Sequence, residues 1–77
     1  MDDLERMVRS GEKPRVLVQL SQQCNATYTP EGRELREKYD GHKGRVLKAK
    51  TGHGLCFLVK FPMNGEAWYQ PEELSVL

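Results

Sequence analysis

The clearest alternation of apolar and polar positions runs over residues 15–20, where Val16, Val18 and Leu20 take turns with Arg15 and Gln19. A period of two places the apolar set on one face, so this segment predicts a half-buried strand. A second strand is expected over residues 44–50 and a third over residues 55–61, with Gly52-His53-Gly54 as the turn between them. Phe57, Val59 and Phe61 share one face of the third strand, the strongest β pattern in the chain. Pro62-Met63-Asn64-Gly65 contains the Asn-Gly pair of a tight hairpin, which returns residues 66–70 as an antiparallel fourth strand. Pro71-Glu72-Glu73-Leu74 has the proline start and acidic first turn of a single helical or 3₁₀ turn, and residues 75–77 add a closing strand.

Elsewhere the pattern changes. Residues 2–10 carry Leu4, Met7 and Val8 at helical spacing, with Asp2 and Asp3 at the start and Gly11 at the end. A helix this short is marginal in water, so it either docks or stays a disordered arm. Residues 1–13 are accordingly set apart from a β domain over residues 14–77. Residues 21–44 are polar, with Tyr28, Leu35 and Tyr39 as the large apolar anchors, and read as a long structured loop holding one helical turn from Thr29-Pro30-Glu31 toward Lys38. In the second strand, Lys48 and Lys50 share parity with Val46, a conflict that a twist or bulge near Ala49 would relieve.

Five short strands, a long first connection, two tight hairpins and a 3₁₀ turn before the last strand give the order of a small, partly open barrel. Gly41-His42-Lys43-Gly44-Arg45-Val46 is similar to the Gly-x-x-Gly-x-Val of KOW-type barrels, and Ala67-Trp68-Tyr69-Gln70-Pro71-Glu72-Glu73-Leu74 fits the end of the same architecture. The chain thus resembles the Src-homology-3-like fold over about residues 14–77. On that resemblance Gly41 and Gly44 supply a turn with positive φ, and Trp68 and Leu74 plug the barrel. Such barrels serve in peptide recognition, RNA contact, electron-transfer complexes and transcription regulation, so the resemblance speaks for fold more than for function.

At 77 residues there is room for one modest core and no second domain. The longest apolar runs, Val16 to Val18 and Leu55 to Val59, are far below the roughly 18 residues needed to span a bilayer. The start at Asp2 and Asp3 lacks the basic and apolar stretches of a secretory signal, so a cytoplasmic, reducing compartment is expected. Cys24 and Cys56 read as free thiols. Their spacing from His42 and His53 is too wide for a structural zinc set, and no metal or cofactor is expected.

Net charge is +1, yet residues 13–60 alone carry +6 between two acidic ends. Arg33, Arg36, Lys38, Lys43, Arg45, Lys48, Lys50 and Lys60 form the basic set, and Glu31, Glu34, Glu37 and Asp40 interleave with the first of them. Two partner classes follow. An anionic strand would meet the basic set, with Tyr28, Tyr39 and Tyr69 as stacking platforms. A protein partner, ranked first here, would meet the basic loop, an aromatic surface or a sheet edge. A sheet edge would also serve a homodimer; otherwise the chain is a monomer.

Catalysis is not expected. No nucleophile, base and carboxylate converge in the pattern, and the Val-Gln-Ile-Tyr substrate strand of the small type II dihydrofolate reductases is replaced by Ala67-Trp68-Tyr69-Gln70. The expected role is a small non-enzymatic binding module, accessory or regulatory. Its partner-binding residues are Tyr28, Arg33, Arg36, Tyr39, Lys43, Lys48, Lys50 and Tyr69.

Overall fold

The computed structural model describes residues 2–52 and 54–77; His53, expected at the tip of a turn, lies outside the described residues. Eight helices and strands succeed one another along the chain: α1 (Asp2–Arg9), β1 (Arg15–Val18), α2 (Gln22–Asn25), α3 (Pro30–Lys38), β2 (Lys43–Thr51), β3 (Leu55–Lys60), β4 (Glu66–Tyr69) and β5 (Leu74–Val76). Short 3₁₀ turns at Pro62–Asn64 and Pro71–Glu73 precede the last two strands. The strands form one antiparallel sheet in the order β4-β3-β2-β1-β5, open between β4 and β5 among the described residues.

The core lies on the face that the alternation predicts. Val16, Val18, Val46, Phe57, Val59 and Tyr69 are fully buried, and Phe61 and Ala67 nearly so. Helix α1 docks rather than frays: Leu4 and Val8 are buried in the same cluster, one helical turn apart. Its outer side is held by exposed pairs, Arg6 with Asp3 and Arg9 with Glu5, which add only a few tenths of a kcal/mol.

Three expectations are corrected. Strand β1 ends at Val18, two residues early, because the Gln19 amide donates to the Glu73 carbonyl at 2.8 Å and the Leu20 amide to Asp40 Oδ1 at 2.8 Å. The long loop after it holds two helices. Ser21 caps α2 by accepting from the Cys24 amide, and Thr29 caps α3 by accepting from Gly32, with Pro30 at the first helical position. In the β3–β4 hairpin the left-handed residues are Met63 (φ 69°) and Asn64 (φ 66°), one position earlier than the Asn-Gly pair implies.

Gly65 is extended and is glycine for another reason: a Cβ there would overlap the Tyr39 hydroxyl. Gly41 does take positive φ (+81°), whereas Gly44 has no such φ and is required because a Cβ would come within 2.7 Å of the Lys60 carbonyl. The expected bulge is present but two residues earlier. Val46 pairs with Val59 and Lys48 with Leu58, so Leu47 is the extra residue.

Candidate functional site

The bulge at Leu47 sorts the side chains of β2. Before it Val46 faces the core opposite Val59; after it Ala49 takes the core side opposite Phe57, and Lys48 and Lys50 turn outward opposite Leu58 and Cys56. Arg45 is outward as well. It lies directly opposite Arg15 on β1 and Lys60 on β3, so three cations stand in one row across three strands. Lys43, opposite Leu17, continues the set. All six basic residues on this face, Arg15, Lys43, Arg45, Lys48, Lys50 and Lys60, are exposed, and among the described residues none forms an ion pair.

Like charges directly opposite in a sheet are destabilising by a few tenths of a kcal/mol or more. Glu66, paired in register with Lys60, is the one acidic residue at the end of the row. Between the cations, Lys43, Arg45, Lys60 and Arg15 rim a groove of about 320 Å³ whose apolar floor is Leu47, Phe61 and Pro62.

At the other end of the face stands Trp68, opposite Leu58. It was expected in the core and is half-buried on the outer face instead, because Ala67 and Tyr69 take the inward positions of β4. The ammonium groups of Lys48 and Lys50 lie 5.9 and 6.0 Å from the Trp68 ring centre. Tyr28 approaches from the loop before α3 and, with Trp68, lines two adjoining clefts of about 220 and 190 Å³. Its hydroxyl is 3.6 Å from Cys56 Sγ, and its phenol is pushed above the ordinary tyrosine range, first by burial and then by that contact.

Arg36 and Tyr69, both expected at the partner surface, are buried and are corrected here. The Arg36 side chain is 1% exposed and its guanidinium is fully committed: Nη2 donates to Glu73 Oε2 at 2.6 Å, Nη1 to the Trp68 carbonyl at 2.7 Å and Nε to Asn25 Oδ1 at 3.0 Å. Glu73, also buried, accepts from the Ser21 and Gln70 amides. The Tyr69 hydroxyl donates to the Arg36 carbonyl at 2.8 Å, and burial raises its phenol as well. Leu35, read as an anchor, is 45% exposed, so α3 packs through its arginine rather than its leucine.

Tyr39 is half-buried and stacked on Phe61, ring centres 4.3 Å apart, and its ring edge meets His42. Arg33 sits away from the sheet, in a cleft with Glu34 and Glu37. Of the expected residues, the structure therefore brings Tyr28, Lys43, Lys48 and Lys50 to one face and leaves Arg33, Arg36, Tyr39 and Tyr69 out of it. Arg15 and Trp68 belong to that face and were not singled out as partner residues. The signal for Arg15 is strand parity, since it alternates with Val16.

Glu37, on α3, and Asp40, just after it, do not pair with this face. Glu37 accepts from Asn25 Nδ2 and Asp40 from the Leu20 amide, both away from the sheet cations. No helix among the described residues is long and apolar enough to cross a membrane. No protein-family model, curated protein or solved structure matches the chain.

Proposed function

We propose that the chain is a non-enzymatic binding module of the Src-homology-3-like class, and that its outer sheet face meets an anionic polymer, a nucleic acid strand. The observation that carries the reading is the unpaired row Arg15, Arg45 and Lys60, opposed across adjacent strands. Such a row costs folding free energy in the absence of a partner and repels itself until counter-charge arrives. A phosphate backbone supplies that counter-charge at regular spacing.

The fold class is supported by chain geometry. Tyr69 at the end of β4 and Leu74 at the start of β5 are joined through the 3₁₀ turn Pro71–Glu73. At about 2 Å rise per residue in the turn and 3.3 Å in extended flanks, that link spans about 12 Å. The outer strands of a flat five-stranded sheet would be about 19 Å apart. A curled sheet with β4 and β5 near one corner satisfies the link, which is the barrel-like arrangement the sequence resembles. A non-enzymatic role is favoured at Cys24, which is buried, and burial raises its pKa so that it stays a thiol.

A protein partner, ranked first from the sequence, is the second reading. It is favoured by the apolar strip of Leu35, Leu58 and Trp68 beside the lysines, which an acidic segment with apolar residues would cover.

The test is Arg45→Glu measured against an oligonucleotide over a salt series. The substitution converts two like-charge oppositions into two attractive ones, each contributing about 0.2–1 kcal/mol. Stability is therefore expected to rise or hold while affinity falls at least tenfold and the salt slope flattens. Unchanged affinity and slope would remove the outer face from consideration.

A further inference from the structure

Trp68 and Tyr28 are held in a way that ordinary surface aromatics are not. Arg36 reaches both: its guanidinium carbon lies 3.9 Å from the Tyr28 ring centre, and its Nη1 donates to the backbone carbonyl of Trp68, fixing the strand from which the indole projects. Because Arg36 is itself locked to Glu73 and Asn25, the two aromatic residues are positioned before any ligand arrives. The clefts they share, about 220 and 190 Å³, fall below the 300 Å³ or more of a drug-sized pocket. They are walled by Leu58, Leu35 and Cys56, and their polar margin is set by Lys50 and Arg36, with Glu66 at the far side of the second cleft. A flat apolar slot with ammonium groups at its rim suits a ring that carries phosphate on either side.

Two residues along a strand are about 6.6 Å apart. Leu58, opposite Trp68, is therefore one such step from Lys60 on the same face of β3, with Lys48 directly opposite it on β2 and Lys50 one step further on, opposite Cys56. The aromatic slot and the cationic row are thus parts of one continuous track.

We infer that the Tyr28–Trp68 slot takes one unpaired base of a single-stranded nucleic acid, with Lys48 and Lys50 on the phosphates beside it and Lys60, Arg45 and Arg15 on those that follow. This rests on the anionic-polymer reading of the outer face and adds the strandedness of the ligand. A duplex hides its base faces in its own stack and offers nothing to Trp68, whereas stacking on an aromatic ring is available to every unpaired base.

Trp68 is the sole tryptophan, so its fluorescence reports the slot directly. The experiment titrates the full chain with an oligothymidylate, with a duplex of matched charge and with poly-glutamate, at low and moderate salt. The single strand is expected to quench Trp68 and to bind more tightly than the duplex, which leaves the fluorescence unchanged. Trp68→Ala should weaken single-strand binding about 5- to 150-fold, with the salt slope kept, and Trp68→Phe should retain most of the affinity. Because Trp68→Ala alters a half-buried position, Tyr28→Leu provides a second variant, expected to weaken single-strand binding without changing duplex binding.

Binding without quenching, with affinity indifferent to Trp68→Ala and Tyr28→Leu, overturns the slot while leaving the anionic-polymer reading intact. No binding of either oligonucleotide at low salt overturns both. Quenching by poly-glutamate at least as strong as that by the single strand overturns the inference in favour of an acidic protein segment.

Discussion

Replacing Arg36 by methionine removes a charge that the fold has surrounded. In the native chain the guanidinium makes three hydrogen bonds of 2.6 to 3.0 Å, and its carboxylate partner Glu73 has no exposed side-chain surface. Methionine fills most of the volume, so the cavity contribution is small and the cost is electrostatic. Glu73 keeps two backbone donors, Ser21 and Gln70, but its charge is no longer compensated. Breaking a buried pair by deleting one partner costs about 3–5 kcal/mol. A domain of 77 residues has about 4–12 kcal/mol of stability in all, at about 0.05–0.15 kcal/mol per residue.

Arg36→Met is therefore expected to lose a quarter or more of the total. With a urea m-value of about 1 kcal/mol/M, the midpoint should fall by about 3–5 M at constant m. Urea unfolding followed by circular dichroism measures this. Arg33→Met, three residues earlier on the same helix and outside any ion pair, is the control and should stay within about 0.5 kcal/mol. A loss below about 1 kcal/mol for Arg36→Met would refute the reasoning, since the fold would then accommodate Glu73 without its partner at little cost.

The remaining predictions concern packing and pH. Gly65→Ala should destabilise by about 1–3 kcal/mol, because the added methyl meets a Tyr39 ring already stacked on Phe61; Gly52→Ala, with nothing within 4 Å of the new Cβ, should be nearly neutral, and thermal melts compare the two. Leu4→Ala should cost about 2–3 kcal/mol and accelerate hydrogen exchange in α1, as Leu4 is buried against the sheet. Tyr28 and Tyr69 have phenol pKa values raised by burial, so the neutral form is favoured in the fold. Their contribution is complete below the unfolded value of about 10 and is lost as pH climbs from there through the raised folded values. Tyrosinate absorbance should show these two ionising together with unfolding; ionisation near pH 10 with near-ultraviolet dichroism intact would contradict their burial.

The strands were legible because a period of two needs only local information. The limits appear where two faces are both apolar or where the deciding partner is distant. Ala67-Trp68-Tyr69 offers apolar groups to either side of a four-residue strand, so its parity is fixed only by the β3 register that sets Leu58 against Trp68. Helix α3 was misread for the second reason. Leu35 looks like the anchor and Arg36 like the surface until Glu73, 37 residues away, is brought alongside. The basic face was half legible: Lys43, Lys48 and Lys50 were expected there, and the parity conflict at Lys48 and Lys50 correctly announced an irregularity in β2, though it falls at Leu47. The separation of Glu37 and Asp40 from the sheet cations is a matter of packing that local charge counts do not reveal.

The extra residue at Leu47 has a bearing on which length changes the gene can accept. A regular ladder through the same residues, with Leu47 paired to Leu58, would reverse every later side chain of β2, sending two ammonium groups toward the core and Ala49 toward solvent. Burying them costs several kcal/mol apiece, comparable to the whole stability of a chain this size. Deleting Leu47 itself removes only the extra residue and leaves Lys48 opposite Leu58 and Ala49 opposite Phe57, so each keeps its face. The segment 52–54 lies beyond the last pair of β2 and β3, Thr51 with Leu55, where added residues reverse nothing. Length variation among descendants of this sequence is therefore expected to accumulate at residues 52–54 and, inside β2, to be confined to loss of Leu47.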